Sequence, residues 1–286
     1  MSTFTGLYTA LVSPFCDGAF DGESFIKLLH RQEGIDGIVI GGTTGEMPTL
    51  RWEELRQQIV MAGEHFSGKV IVAVGSNDTA KAIRRVHILD QIEAIDVYLV
   101  IVPSYNSPNQ VGIFEHFSAI AKSTRRPIIL YSISRGGNAI GVDTVINLVE
   151  ENDNIVGIKE SADNGRRIDD FYRLLGEDFS ILSGNDPMTL PFMVQGAVGV
   201  LSPTANILGD RMKRMVDLAN AGKFIEARGI HREIVPLMGA LLSEPSPVAI
   251  KHMLAVQGII RSSEVRLPLC ASSAERLQEI EKMFSN

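Results

Sequence analysis

The chain has 286 residues, 27 Lys+Arg against 34 Asp+Glu, and a net charge of −7. That is the wrong sign for a protein that neutralises a phosphate backbone, so the balance argues against a nucleic-acid partner. Its two cysteines, Cys16 and Cys270, stand far apart and outside any C-x-x-C spacing; they indicate neither a disulfide framework nor a zinc site and fit a reducing, cytoplasmic setting.

The length suits one or two domains or a single large α/β barrel. The opening Met1-Ser-Thr-Phe-Thr-Gly-Leu7 lacks the basic and long apolar regions of a signal peptide, so no export is expected. Eight short apolar runs rich in β-branched residues follow, each bounded by Gly, Pro, Ser or Asn: Leu7–Phe15, Gly37–Gly42, Lys69–Ser76, Val97–Ser104, Pro127–Ile133, Ile155–Ser161, Phe179–Gly184 and Gly199–Pro203. Such runs read as strands of a parallel sheet buried on both faces. Segments of helical spacing lie between them at Ser24–Gln32, Arg51–His65, Thr79–Ile92, Gly112–Ser123, Val142–Glu151 and Arg167–Leu175. The first six strands start roughly 30 residues apart, the length of one βα unit. Eight strands alternating with helices, with no break in composition, predict a closed (β/α)8 TIM barrel over an open doubly wound sheet.

The segment Pro187–Gly209 carries no charge and is the one candidate for a membrane span. Its three prolines and its Gln195, Thr204 and Asn206 would leave polar groups unsatisfied in lipid, so it reads as buried structure and no membrane is expected. Beyond Ile207 the pattern is helical only: Arg211–Ala221, Phe224–Leu242, Val248–Gln257 and Ser273–Phe284. The first closes the barrel, giving a barrel domain over 1–222 and a C-terminal helical appendix over 223–286 that braces it or forms a subunit interface.

Active sites of this barrel lie at the C-terminal ends of the strands. There the chain carries Gly41-Gly-Thr-Thr-Gly-Glu46, Pro103-Ser-Tyr-Asn-Ser-Pro108, Tyr131-Ser-Ile-Ser-Arg135, Lys159-Glu-Ser161 and Ser183-Gly-Asn-Asp186. Lys159 interrupts the apolar run Ile155-Val-Gly-Ile158, where an ammonium must be desolvated or paired. Desolvation favours the neutral amine, a nucleophile able to form a Schiff base with a ketone. A structural ion pair, or a lysine that binds substrate charge, is the alternative. The Gly-Gly-Thr-Thr-Gly-Glu turn fits no nucleotide fingerprint, but its amides and hydroxyls suit a carboxylate; threonines that merely cap the next helix are the plainer reading. Tyr131 ends the neighbouring strand, as a proton shuttle for Lys159 or as a hydrogen-bonded core tyrosine. Arg135 suits bidentate grip of a substrate carboxylate, though an exposed loop arginine often binds nothing. The six histidines are scattered without metal-ligand spacing, so neither a metal nor another cofactor is expected.

The ordered set of motifs resembles the Schiff-base pyruvate lyases and synthases, the dihydrodipicolinate synthase / N-acetylneuraminate lyase family. The resemblance runs from Gly6-Leu-Tyr-Thr-Ala-Leu-Val-Ser-Pro-Phe15 through Gly42-Thr-Thr-Gly-Glu46, Pro103–Pro108, Leu130-Tyr131, Gly157-Ile-Lys-Glu160 and Leu182-Ser-Gly-Asn-Asp186 to Glu244-Pro-Ser-Pro247 and Arg266-Leu-Pro-Leu269. It implies that Lys159 forms an imine with pyruvate, that Thr44 holds the pyruvate carboxylate, and that Thr43, Tyr105 and Tyr131 relay protons. It further implies that Tyr105 reaches into a neighbouring subunit's site, that the backbone at Gly184 and Leu201 lines the pyruvate pocket, and that the protein is a homo-oligomer, a dimer of dimers. The Thr-Thr pair, Tyr105 and the two C-terminal motifs look more like the synthase branch, whose acceptor is L-aspartate 4-semialdehyde and whose product, 4-hydroxy-tetrahydrodipicolinate, feeds lysine and diaminopimelate synthesis. The alternatives are a pyruvate-dependent aldolase acting on a sugar-derived 2-keto acid and a catalytically silent keto-acid-binding barrel. Two departures stand out. The Tyr131–Gly137 segment that carries Arg135 is shorter than is usual among the synthases. Where lysine-inhibited members carry His, Glu and Tyr, this chain has Trp52, Lys81 and Ser104, with Asn77 retained; a cation at Lys81 repels lysine, so weak or absent feedback inhibition is expected.

Overall fold

A computed structural model describes residues 4–133 and 139–284. The chain runs β1 (Gly6–Ala10), β2 (Phe15–Cys16), β3 (Ala19–Phe20), α1 (Gly22–His30), β4 (Gly37–Ile40), α2 (Trp52–His65), β5 (Lys69–Val74), α3 (Thr79–Leu89), β6 (Val97–Ile101) and α4 (Gln110–Ala121). It continues β7 (Ile128–Ser132), α5 (Val142–Glu151), β8 (Ile155–Glu160), α6 (Arg166–Leu175), β9 (Ser180–Ser183), α7 (Thr189–Val194), β10 (Gly199–Ser202), α8 (Ala205–Asn220), α9 (Phe224–Leu242), α10 (Val248–Val256) and α11 (Ala274–Phe284). Eight strands close into the predicted barrel in the order β1-β10-β9-β8-β7-β6-β5-β4, and every pair whose register is given is parallel apart from the separate β2–β3 hairpin.

The strands form where the apolar runs are because helices cover the sheet and leave no face to water; β4, β9 and β10 are buried along their whole length. The helices start where short polar side chains can satisfy their first amides. Asp21 accepts from the Ser24 N–H at 3.2 Å, Asp78 from the Lys81 N–H at 3.0 Å and Asn109 from the Gly112 N–H at 2.9 Å.

Two expectations need adjusting. The run Leu7–Phe15 is not one strand: β1 stops at Ala10, and Phe15 belongs to the β2–β3 hairpin. Asn206 caps the break, its amide donating to the Ala10 carbonyl at 2.7 Å while its oxygen accepts from the Val12 N–H at 3.3 Å. The charge-free stretch 187–209 resolves into part of a 3-10 turn (Asp186–Met188), α7, β10 and the start of α8, which begins at Ala205 rather than Arg211 and bends at Leu208. Among the described residues no helix is long and apolar enough to cross a membrane.

By compactness the chain divides into two units, Met1–Gly6 with Ile71–Leu201, and Leu7–Val70 with Ser202–Asn286. The first holds most of β5 and of β10, all of β6 to β9, and helices α3 to α7. The second holds most of β1, β2 to β4, α1, α2 and the four C-terminal helices, in which α9 packs on α8, and α10 and α11 pack on α9.

Candidate active site

The first unit carries the lysine. Lys159 is the penultimate residue of β8, paired in register with Tyr131 of β7 on one side and Leu182 of β9 on the other. Directly opposed residues of adjacent strands share a face, so the Lys159 and Tyr131 side chains meet. The Lys159 Nζ lies 4.1 Å from the centre of the Tyr131 ring, the geometry of a cation–π contact. Lys159 is only 7% exposed, and among the described residues no carboxylate stands within ion-pairing distance of it. The structural ion pair that sequence alone leaves open is therefore absent from the described residues.

The adjacent carboxylate is occupied elsewhere. Glu160 points to the opposite face of the sheet, is 0% exposed, accepts from the Ala162 N–H at 2.8 Å and pairs with Arg167 at 2.9 Å. Arg167 also donates to the Ile140 carbonyl at 2.7 Å. β8 therefore ends in a fixed frame, with the lysine on one face and the anchored Glu160–Arg167 pair on the other.

Gly184, the residue after β9, packs directly on the lysine stem. A Cβ built there would sit 2.8 Å from Lys159 Cε, 3.1 Å from its Cγ and 2.1 Å from Ser161 Oγ. The position takes glycine because the lysine side chain fills the space a methyl group would need. Leu201, in β10, is buried. Tyr105 lies in the turn after β6 and is 92% exposed. That turn is tied down by Asn77, whose Oδ1 accepts from the Ser104 N–H at 3.1 Å. Arg135 lies outside the described residues.

The second unit carries the threonine turn that follows β4. Thr44 is buried and Thr43 exposed. Neither caps the next helix: α2 begins at Trp52, its cap residue is Arg51, and Glu54 of its first turn accepts from the Arg51 N–H at 2.9 Å. Among the described residues neither hydroxyl is engaged by another side chain or carbonyl, which leaves both for a ligand. The turn reverses tightly through Gly41 at φ 67° and Glu46 at φ 56°, left-handed values that glycine adopts freely and glutamate does not.

Sequence reasoning missed what holds Glu46. Its carboxylate is buried and accepts from Lys251 Nζ at 2.5 Å and from the Arg266 N–H at 2.9 Å. Lys251 is 0% exposed and also donates to the Glu264 carbonyl at 2.7 Å. Burial pushes its amine down to about 8, against the upward pull of the Glu46 carboxylate. The signal was legible: Lys251 is the one Lys, Arg, Asp or Glu in the apolar helix Val248–Val256, as Lys159 is in its strand before Glu160.

Two surface clefts, of about 410 and 660 Å³, lie elsewhere. One is lined by Ile35, Lys213, Arg214 and Asp217, the other by Asp96, Lys122, Arg125 and Arg126. Ile35 precedes β4, and Asp96 and Arg126 precede β6 and β7, so both clefts open beside the N-terminal ends of strands, the face of this barrel associated with stability.

Comparison with known proteins converges on one family. A relative from Sulfurihydrogenibium sp. (strain YO3AOP1), named 4-hydroxy-tetrahydrodipicolinate synthase, is 40% identical over 290 residues, covering 99% of each chain. The structure of the 4-hydroxy-tetrahydrodipicolinate synthase from Methylacidiphilum fumariolicum SolV is similar at TM-score 0.94 and 42% identity, over 99% of this chain and 95% of that one. The dihydrodipicolinate synthase of Aquifex aeolicus superposes at TM-score 0.93 and 37% identity, over 99% and 97%. The model of the dihydrodipicolinate synthetase family matches residues 3–286, and the chain belongs to that family.

Proposed function

We propose that this protein is a class I lyase that condenses pyruvate with L-aspartate 4-semialdehyde to give 4-hydroxy-tetrahydrodipicolinate, a step towards lysine and diaminopimelate. The observation that carries this reading is Lys159: a buried amine at the C-terminal end of a barrel strand, resting on the Tyr131 ring and unpaired among the described residues. An amine so placed lies at the barrel end where this fold carries its chemistry, beside a tyrosine and with no carboxylate partner among the described residues to occupy it, as a Schiff-base nucleophile requires.

In this reading the Lys159 nitrogen attacks the carbonyl carbon of pyruvate and water leaves, forming the imine. Loss of a methyl proton gives the enamine, whose carbon bonds to the aldehyde carbon of the acceptor. Cyclisation through the acceptor's own amine then displaces Lys159 as the free amine. Tyr131, Thr43 and Tyr105 move the protons, Thr44 holds the ketoacid carboxylate, and the backbone at Gly184 and Leu201 borders the pyruvate. Arg135 grips the acceptor carboxylate. Tyr105, almost wholly exposed in a single chain, serves the site of a neighbouring subunit, which makes a homo-oligomer, a dimer of dimers, part of the proposal. A cytoplasmic setting and a C-terminal helical extension over 223–286 belong to the same reading.

The deciding assay supplies pyruvate with either L-aspartate semialdehyde or sugar-derived aldehydes. Turnover at ordinary enzyme rates, about 1–10³ per second, with the semialdehyde alone supports the synthase. Turnover with the sugar-derived aldehydes alone would assign an aldolase, and none with any aldehyde a silent barrel.

A further inference from the structure

The turn that bears Thr43 and Thr44 is held from below by a buried charged cluster drawn from the other end of the chain. Lys251, on α10, bonds to one oxygen of Glu46, and the Arg266 N–H bonds to the other at 2.9 Å. The Arg266 guanidinium makes a two-pronged contact with Glu54, at 2.7 and 2.6 Å, and donates to the Thr49 carbonyl at 3.1 Å. Glu54 in turn accepts from the Arg51 N–H at the start of α2. Both cations rest on one face-forming residue: Lys251 Nζ lies 4.2 Å and the Arg266 guanidinium carbon 3.8 Å from the centre of the Phe15 ring.

The bonds fall at both ends of the segment between β4 and α2. At its near end the Glu46 N–H donates to the Thr43 carbonyl at 3.1 Å, and the Met47 N–H to Gly42 at 3.2 Å. Ser13 adds a bond to the Gly45 carbonyl at 2.9 Å. Glu46 is thus joined to Thr43 through the main chain and to α10 and the C-terminal segment through its carboxylate. A left-handed glutamate is unfavourable unless its surroundings over-determine it, and such strain gathers at functional sites.

We propose that Glu46, Lys251 and Arg266 form a positioning cluster that fixes the turn so that the Thr43 and Thr44 hydroxyls meet the ketoacid. The inference rests on the reading of those threonines given under the proposed function. None of the three touches substrate; each acts through the turn.

The test compares Glu46→Asp, Glu46→Gln and Lys251→Met with the unaltered protein, using pyruvate KM, aldehyde KM, melting temperature and borohydride trapping of pyruvate on Lys159. Asp tolerates the left-handed backbone and keeps the charge but is one methylene too short to hold both partners, so it decides the matter if the Gln variant does not fold. We expect pyruvate KM to rise about tenfold, the size of one lost charge-assisted hydrogen bond, with aldehyde KM unchanged. Folded variants whose pyruvate KM stays within about twofold of the unaltered protein, whatever their melting temperature, overturn the positioning role and leave the cluster purely structural. Failure to trap pyruvate on Lys159 in the unaltered protein is a separate result that overturns the underlying reading instead.

Discussion

Gly184→Ala is a small change with a calculable consequence. The new methyl group would lie 2.1 Å from Ser161 Oγ and 2.8 Å from Lys159 Cε. Carbon atoms in contact prefer about 3.5–4.0 Å, so one of the two partners at each contact must move by roughly 0.7 Å or more. Among the described residues the buried Ser161 hydroxyl has no hydrogen-bond partner, and it can rotate away at little cost. The lysine cannot retreat freely, because its other side meets the Tyr131 ring. The strain costs ~1–3 kcal/mol of stability. Displacing a reacting group by about 1 Å costs on the order of 10²-fold in rate, so kcat should fall roughly 30- to 100-fold while the protein remains folded. The assay is steady-state turnover together with the rate of pyruvate trapping by borohydride, repeated on Gly184→Ala with Ser161→Ala. The double variant removes the oxygen clash alone, so it should recover little of either the stability or the rate. A Gly184→Ala enzyme with unaltered kcat and trapping rate would refute the claim that this glycine makes room for a reactive lysine.

Three further outcomes follow from the same geometry. Arg167→Met leaves the fully buried Glu160 carboxylate with only the Ala162 N–H among the described residues, and should destabilise the fold by about 3–5 kcal/mol in chemical denaturation; a loss under ~1 kcal/mol would contradict the anchoring role. Lys251 sets a pH dependence. Its amine is pushed from 10.5 down to about 8 by burial, with Glu46 and the Glu264 carboxylate opposing and Arg266 assisting. Between those values the unfolded chain binds the extra proton, so this group adds stability as pH rises, by up to ~1.4 kcal/mol per unit. The stability advantage of the unaltered protein over Lys251→Met should therefore grow from pH 8 to pH 10, and a shrinking advantage would show the sign to be wrong. Lysine should inhibit weakly or not at all if the resemblance places Lys81 and Trp52 where lysine-inhibited members carry an acidic and an imidazole side chain, and the Asn77 oxygen already accepts from the Ser104 N–H; inhibition at micromolar lysine would count against this.

The barrel was legible because a parallel sheet buried on both faces writes each strand as a largely apolar run, and each of the eight runs overlaps one. The errors have physical causes. The Leu7–Phe15 run is apolar for two reasons, strand β1 and then a separate hairpin, and hydropathy does not mark where pairing ends; Asn206, far along the chain, does. α7 has no charged face, being buried on most sides, so no amphipathic period announces it. At the site, Lys159 was visible as the charge that interrupts the apolar run Ile155-Val-Gly-Ile158. The same signal marks Lys251, and hydropathy alone does not tell the two lysines apart. The structure does: Lys251 is bonded to a carboxylate 205 residues away, while Lys159 lies on an aromatic ring. Glu46 could be read only as the end of an amide-rich turn, because its partners come from a distant helix and the final loop. Arg135, the expected grip on the acceptor, falls outside the described residues.

The account turns on a covalent bond between pyruvate and a single nitrogen. Borohydride reduction in the presence of pyruvate, followed by proteolysis and mass spectrometry, reads it directly. A reduced pyruvyl adduct confined to the peptide containing Lys159, and lost in Lys159→Met, is the predicted result. No adduct, or one on Lys251 with Lys159 unmodified, would contradict it.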